Sequence, residues 1–246
     1  MSGYPYRLSP PAGLPTLGLI VLQVDETIEQ DFRRLLPHGT VLHVSRVPSG
    51  AALTPDTIAA MAAHLPAAAA LLPPAAQFDT VAYACTSGTT LIGAEHVAAL
   101  VNGACRTGAV TDPMTAALAA MRALDTGRVA LVSPYIASVA EPIRAAFEAA
   151  GFTVPATLSF GEEIEARVAR IDPGSIREAA REVVRAGDVD AVFLSCTNLR
   201  TLDVIDDLEA ELGIPVVSSN LALAWHMARR ASAAVSPDAP GRLFAL

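Results

Sequence analysis

Seven short runs of apolar residues punctuate the chain, and between them the apolar positions recur with helical spacing. The runs are Leu17 to Leu22, Thr40 to Arg46, Thr80 to Ala84, Gly108 to Thr111, Arg128 to Val132, Ala191 to Ser195 and Ile214 to Val217. Several are nearly continuous in Val, Ile, Leu and Ala, the pattern of parallel strands buried on both faces. Helical patterns lie at Ile28 to Leu36, His96 to Val101, Thr115 to Leu124, Glu141 to Ala150, Ile176 to Ala186, Val204 to Leu212 and Leu221 to Arg230. Strands alternating with helices predict right-handed βαβ units and an α/β fold built on parallel sheet.

The pattern repeats. Asp79-Thr-Val-Ala-Tyr-Ala-Cys85-Thr-Ser87 lies over Asp190-Ala-Val-Phe-Leu-Ser-Cys196-Thr-Asn198 without a gap, at the 111-residue separation of the two cysteines. At the same offset the strand opening at Gly18 falls on Val129, and a second correspondence sets Val110 over Val217 and runs on to Arg122 and Arg229. A period this long is a duplicated domain rather than a solenoid. It predicts two pseudo-symmetric lobes, each a parallel sheet flanked by helices, with a cleft between them. The expected division is an N-terminal extension over 1–16, a first lobe of 17–113 with 217–246, and a second lobe of 114–216, so that the last helix returns to the first lobe.

Composition narrows the function. The 246 residues are 52% hydrophobic and 17% charged, with a mean hydropathy of +0.42, which provides for a large core and excludes intrinsic disorder. All 17 basic residues are arginine, so lysine Schiff-base chemistry and a P-loop are both excluded. A net charge of −8 without an arginine cluster excludes the usual footprint of a nucleic-acid binder. The most apolar stretch, Ile58 to Ala76, is broken by Pro66, Pro73 and Pro74, which favours short core helices over a membrane span. The first fifteen residues lack the apolar segment of a secretory signal, so a cytoplasmic location is expected.

Cys85, Cys105 and Cys196 form neither a disulfide framework nor a metal-ligand spacing, and no metal or cofactor site is expected. Cys85 and Cys196 each end an apolar strand, where open parallel sheets place their ligands, and helix-start N–H groups after each would stabilise a thiolate or hold a carboxylate. One of them, foremost Cys85 with its Thr-Ser-Gly-Thr turn, is expected to alkylate faster than Cys105. Thr86, Ser87, Gly88, Thr197 and Asn198 supply small hydrogen-bonding groups around them. Arg46 and Arg200 are candidates to neutralise a second carboxylate. The five histidines sit without ligand spacing, and His226 beside Trp225 suits packing.

Cys85-Thr-Ser-Gly-Thr, Val-Ser-Pro-Tyr135 and Ser-Cys196-Thr-Asn-Leu together resemble the Asp/Glu racemase superfamily, in its maleate isomerase and arylmalonate decarboxylase branch. Gly18 to Glu29, Val44-Ser-Arg-Val-Pro48 and Ala224-Trp-His226 are most similar to the ectoine-utilisation protein A group within it. The resemblance implies cofactor-independent isomerase or racemase chemistry on a small carboxylate or amino acid held between the lobes, in a chain that could form a homo-oligomer, with a possible place in ectoine catabolism. It carries the two cysteines onto Cys85 and Cys196, as a nucleophile or as an acid and base pair, and a substrate-binding tyrosine onto Tyr135. Such chemistry needs hydrogen bonds to a developing enediolate, for which Thr86, Ser87, Thr197 and Asn198 are the candidate substrate-binding residues. Asp25 stands where maleate isomerases have an asparagine, which implies a different substrate group there or simply a helix cap. Two alternatives stay open: a non-catalytic carboxylate-binding or accessory protein, and a cysteine-dependent decarboxylase, the latter disfavoured because such enzymes have glycine at the first cysteine position.

Overall fold

The computed structural model describes residues 3–8 and 13–246; of the expected N-terminal extension, residues 1, 2 and 9–12 lie outside the described residues. The first half runs β1 (Thr16–Leu22), α1 (Ile28–Leu35), β2 (Val41–Val47), α2 (Pro55–Ala60), α3 (Leu65–Ala70), β3 (Thr80–Ala84), α4 (Thr86–Ile92), α5 (Ala94–Asn102), β4 (Val110–Thr111) and α6 (Pro113–Ala123). The second runs β5 (Val129–Ser133), α7 (Ala137–Ala149), β6 (Thr157–Ser159), α8 (Glu165–Val168), α9 (Pro173–Arg185), β7 (Ala191–Leu194), α10 (Leu202–Leu212), β8 (Val216–Ser218) and α11 (Ser219–Arg230). All the pairings within the two sheets are parallel, in the orders β2-β1-β3-β4 and β6-β5-β7-β8. The same order twice is the architecture that the repeat predicts. β3, β5 and β7 are buried along their whole length, and so is β1 beyond Thr16, which is why they read as unbroken apolar runs.

The repeated aspartates have a structural role. Asp79 Oδ2 accepts the N–H of Thr16 at 2.8 Å, and Asp190 Oδ2 accepts that of Gly127 at 3.1 Å, pinning the start of β3 to β1 and of β7 to β5 at the same offset. The second correspondence shifts by one residue. Val81 pairs with Val110, and its counterpart Val192 pairs with Val216, so Val110 matches Val216 rather than Val217. The helix caps agree: Asp112 Oδ1 accepts from Thr115 N–H at 2.8 Å and Ser218 Oγ from Leu221 N–H at 3.2 Å. The equivalent helices α6 and α11 pack against each other, as an approximate twofold axis between the lobes requires.

Three elements escape the sequence pattern: β6, α4 and the four-residue α8. β6 is three residues at a sheet edge, too short and too exposed to show alternation. α4 begins immediately after Cys85 in a Thr-Ser-Gly-Thr-Thr stretch that reads as a loop. Ile58 to Ala76 holds the end of α2, a 3₁₀ turn at Met61–Ala63 and α3, and among the described residues no helix is long and apolar enough to cross a membrane.

Candidate active site

Cys85 leaves β3 in extended conformation and caps α4: its Sγ accepts the N–H of Gly88 at 3.2 Å and lies 3.6 Å from Ser87 Oγ. Tyr83, buried on the same strand, donates from its hydroxyl to Met61 Sδ at 3.6 Å and lies close to the thiol. Gly88 is needed for that approach, because a Cβ there would stand 2.5 Å from Tyr83 Oη and 2.8 Å from Cys85 Sγ.

Cys196 is held differently. Its φ is +132°, a region that residues with a side chain rarely adopt, and no helix follows until Leu202. The backbone is fixed from α11: Ser219 Oγ accepts the Cys196 N–H at 3.0 Å, and Asn220 Nδ2 donates to the Thr197 carbonyl at 2.8 Å. Helix-start N–H groups are therefore available to Cys85 and not to Cys196, contrary to the symmetric expectation. Tyr135, in the turn between β5 and α7, sets its hydroxyl against Cys196 and near Cys85.

A roof joins the lobes above these groups. The segments after β2 and β6 pair antiparallel at Ala52 and Ile164, with Leu53 N–H donating to the Glu163 carbonyl at 2.8 Å and Glu165 N–H to the Ala51 carbonyl at 3.2 Å. Glu165 hangs from this roof, 5% exposed, and its charge bears on both thiols and on Tyr135. The sequence gives no sign of Glu165, which sits in a polar stretch without periodicity. Tyr83, Ser219 and Asn220 fall inside the repeated segments but carry no motif of their own.

The remaining expected residues gather here, several already engaged. Asn198 Oδ1 accepts from Glu26 N–H at 2.8 Å, while its Nδ2 donates to Glu165 Oε2 at 2.9 Å, so the amide clasps one lobe to the other. Thr86 Oγ1 meets Ser219 Oγ at 2.8 Å, and the Thr197 hydroxyl donates to the Ala84 carbonyl at 3.3 Å. Asp25 Oδ1 caps α1 through the N–H groups of Thr27 at 2.8 Å and Ile28 at 2.9 Å. Arg46 braces that loop, donating from Nη1 to the carbonyls of Leu22, Gln23 and Asp25 and pairing with Glu29. Arg200 is exposed, and His226 Nδ1 lies 2.7 Å from Thr111 Oγ1, joining α11 to β4.

Burial dominates the electrostatics. Cys85 and Cys196 are 4% and 3% exposed, and desolvation pushes the Cys85 thiol up to about 12 and the Cys196 thiol well up, against the Gly88 N–H and Ser87 hydroxyl that favour a Cys85 thiolate. In the closed cleft both thiols are neutral, so rapid alkylation of Cys85 is not expected; partly exposed Cys105 is the accessible one. Glu165 is pushed up to about 7 by the same burial.

The arylmalonate decarboxylase family profile matches residues 44–244. The chain is 30% identical over 249 residues to a maleate isomerase of Nocardia farcinica, covering 94% of this chain and 96% of that protein. It is 40% identical over 137 residues to an arylmalonate decarboxylase of Bordetella bronchiseptica, covering 54% and 57%. The solved structure of a cysteine-to-serine variant of the Nocardia farcinica maleate cis-trans isomerase, with a covalently bound succinylcysteine intermediate, superposes with a TM-score of 0.83 at 28% identity, over 94% of this chain and 98% of that one.

Proposed function

This chain belongs to the arylmalonate decarboxylase family, in the maleate isomerase and arylmalonate decarboxylase branch of the Asp/Glu racemase superfamily, and we propose that it is a cofactor-independent isomerase of a small carboxylate. Cys85 and Cys196 carry the chemistry. The observation that supports this most directly is the pair of buried thiols at equivalent strand ends of two lobes, with one buried phenol, Tyr135, against Cys196.

The asymmetry assigns the roles. Each thiol meets one hydroxyl and one backbone N–H, Ser87 and Gly88 at Cys85 and Tyr135 and Asn198 at Cys196, but only Cys85 caps a helix, and in this proposal it is the nucleophile. Cys85 first loses its proton to solvent as the cleft admits substrate; the thiolate sulfur then adds to one carbon of a double bond conjugated to a carboxylate, and the π electrons move onto the adjacent carbon and its carboxylate. Cys196, lacking a helix start, gives its proton to that carbon from the opposite side. Rotation about the new single bond, return of the proton to Cys196 and cleavage of the S–C bond release the isomer. With a substrate bearing a hydrogen beside the carboxylate, the same pair would instead remove and replace that proton. Hydroxyls of Ser87 and Tyr135, with Thr86, Thr197, Asn198 and Asp25 around them, form the substrate cradle in this proposal.

The finer placement, in the ectoine-utilisation protein A group and in ectoine catabolism, rests on Gly18 to Glu29, Val44 to Pro48 and Ala224 to His226 and belongs to the proposal. The decisive experiment is intact-protein mass spectrometry of Cys196→Ser incubated with a panel of unsaturated carboxylates. Gain of one substrate mass on Cys85 is expected; its absence for every member would remove the addition mechanism.

A further inference from the structure

We propose that Asp31, on the inward face of α1, is a positioning residue for Cys196: through Asn220 it holds the loop that carries the second thiol. The inference deepens the proposed function and rests on its reading of Cys196 as one of two reacting thiols.

Asp31 shares the buried face of α1 with Ile28, Phe32 and Leu35 and is 6% exposed. A leucine there would continue the apolar stripe at no desolvation cost, so a carboxyl in that place needs a partner to account for it. Arg34, one turn on, pairs with Asp203 at 2.9 Å, and among the described residues no arginine or histidine forms an ion pair with Asp31. Its partner is Asn220, whose Nδ2 donates to Asp31 Oδ2 at 2.7 Å.

Asn220 is buried in the first turn of α11. The same Nδ2 donates to the Thr197 carbonyl at 2.8 Å, while Oδ1 is buried without a partner. Turning the amide over would set Oδ1 against two acceptors, the Asp31 carboxyl oxygen and the Thr197 carbonyl. Those two acceptors therefore fix the amide between them, and Asp31 supplies the one that lies outside the Cys196 loop.

What this link restrains is strained. Cys196 has a φ of +132° and keeps it only while its surroundings hold it. Ser219 Oγ accepts the Cys196 N–H at 3.0 Å, and Asn220 donates to the carbonyl of the next residue. Each anchor is backed from the first half of the chain, Ser219 by Thr86 at 2.8 Å and Asn220 by Asp31 on α1, which packs against α11. At the offset that sets Val110 on Val216, Ser219 and Asn220 fall on Pro113 and Met114, which cannot make these bonds, so the device serves Cys196 alone. A proton donor aimed at one face of a carbon tolerates little slack, since a displacement of about 1 Å can cost on the order of 10²-fold in rate.

The test is amide hydrogen exchange, read by NMR on the unliganded protein, at the Cys196 N–H and at the Gly88 N–H, which donates to Cys85 and serves as internal control. Asp31→Leu is expected to speed exchange at Cys196 about tenfold or more while Gly88 changes less than about twofold. Asp31→Asn, which keeps an acceptor oxygen, should restore wild-type rates at both. Asn220→Ala breaks the link from its other end and should match Asp31→Leu, with the double variant no faster than either; it also carries the test should the leucine variant fold poorly. Unchanged exchange at Cys196, an equal rise at both amides, no rescue by asparagine, or a double variant faster than either single one would overturn the inference. Because the readout needs no turnover, selective loss of Cys196 protection in a protein that converts no substrate would leave the hold of Asp31 on the loop standing while removing the isomerase proposal.

Discussion

The hydroxyls of Thr86 and Ser219 meet at 2.8 Å, and through that contact the segment after the first thiol is tied to the anchor of the second. Ser219 Oγ also takes the Cys196 N–H at 3.0 Å, so one side chain sets the spacing of the two thiol-bearing loops. Ser219→Ala is expected to cost roughly 1–3 kcal/mol of stability by orphaning a buried N–H. It should also lower kcat far more than it raises KM, because it frees the acid rather than the binding groups. A proportional fall in both, recovered fully by a stabilising background, would make Ser219 merely structural.

The +132° φ of Cys196 predicts a measurable strain. Cys196→Gly should be at least as stable as Cys196→Ala in thermal melts, although glycine ordinarily loses about 0.5–1 kcal/mol to alanine, because only glycine adopts this conformation without penalty. An alanine variant that is clearly the more stable would remove the strain.

Gly88 gives a second steric prediction. Gly88→Ala would force its Cβ against Tyr83 Oη and Cys85 Sγ, at a cost of about 1–3 kcal/mol and with loss of the Cys85 geometry. Melting temperature and turnover should fall together, whereas an unaltered variant would show that the turn relaxes freely.

Thiol labelling distinguishes a closed cleft from an open one. With unliganded protein at pH 7, iodoacetamide should modify Cys105 before Cys85 or Cys196, since both are buried beneath the paired roof segments at Ala52 and Ile164. Prior modification of Cys85, read by peptide mapping, would mean that the roof opens readily and the thiolate forms without substrate.

Buried carboxyls predict the pH dependence of stability. Burial holds Asp31 and Glu165 at about 7, with Asp31 facing Asn220 on α11, Asp203 and Arg34, and Glu165 facing Asn198 and Asp25. Unfolded, both titrate near about 4, so between about 4 and 7 the folded state binds more protons and stability falls as pH rises. Melting temperature should decline across that window, and Asp31→Asn with Glu165→Gln should flatten the curve. A rise with pH would contradict these environments.

Much of this was legible in the sequence for a physical reason: fully buried parallel strands must be continuously apolar, and duplicated lobes repeat their pinning aspartates, Asp79 and Asp190, beside their cysteines. What stayed hidden depends on contacts between distant segments. Glu165 reaches the thiols only because the roof forms, Asn198 works across the lobe interface, and the one-residue shift at Val216 follows from strand register rather than from residue likeness. Burial reversed the expectation for the thiols, since helix-start N–H groups are readable locally and desolvation is not. The lobe division at residues 113 and 217 is a proposal; its second boundary cuts β8, Val216–Ser218, which lies in the second sheet.

The central claim is that two thiols do the chemistry, and deuterium exchange with thiol variants tests it most directly. Wild type, Cys85→Ser, Cys196→Ser and the double variant are incubated in D2O with small carboxylates and amino acids, and NMR reads isomerisation and deuterium beside the carboxylate. The account predicts conversion of at least one substrate by wild type, none by Cys85→Ser, slow residual turnover by Cys196→Ser if addition operates, and loss in both single variants if two-base proton transfer operates. Full activity in the double variant would contradict it.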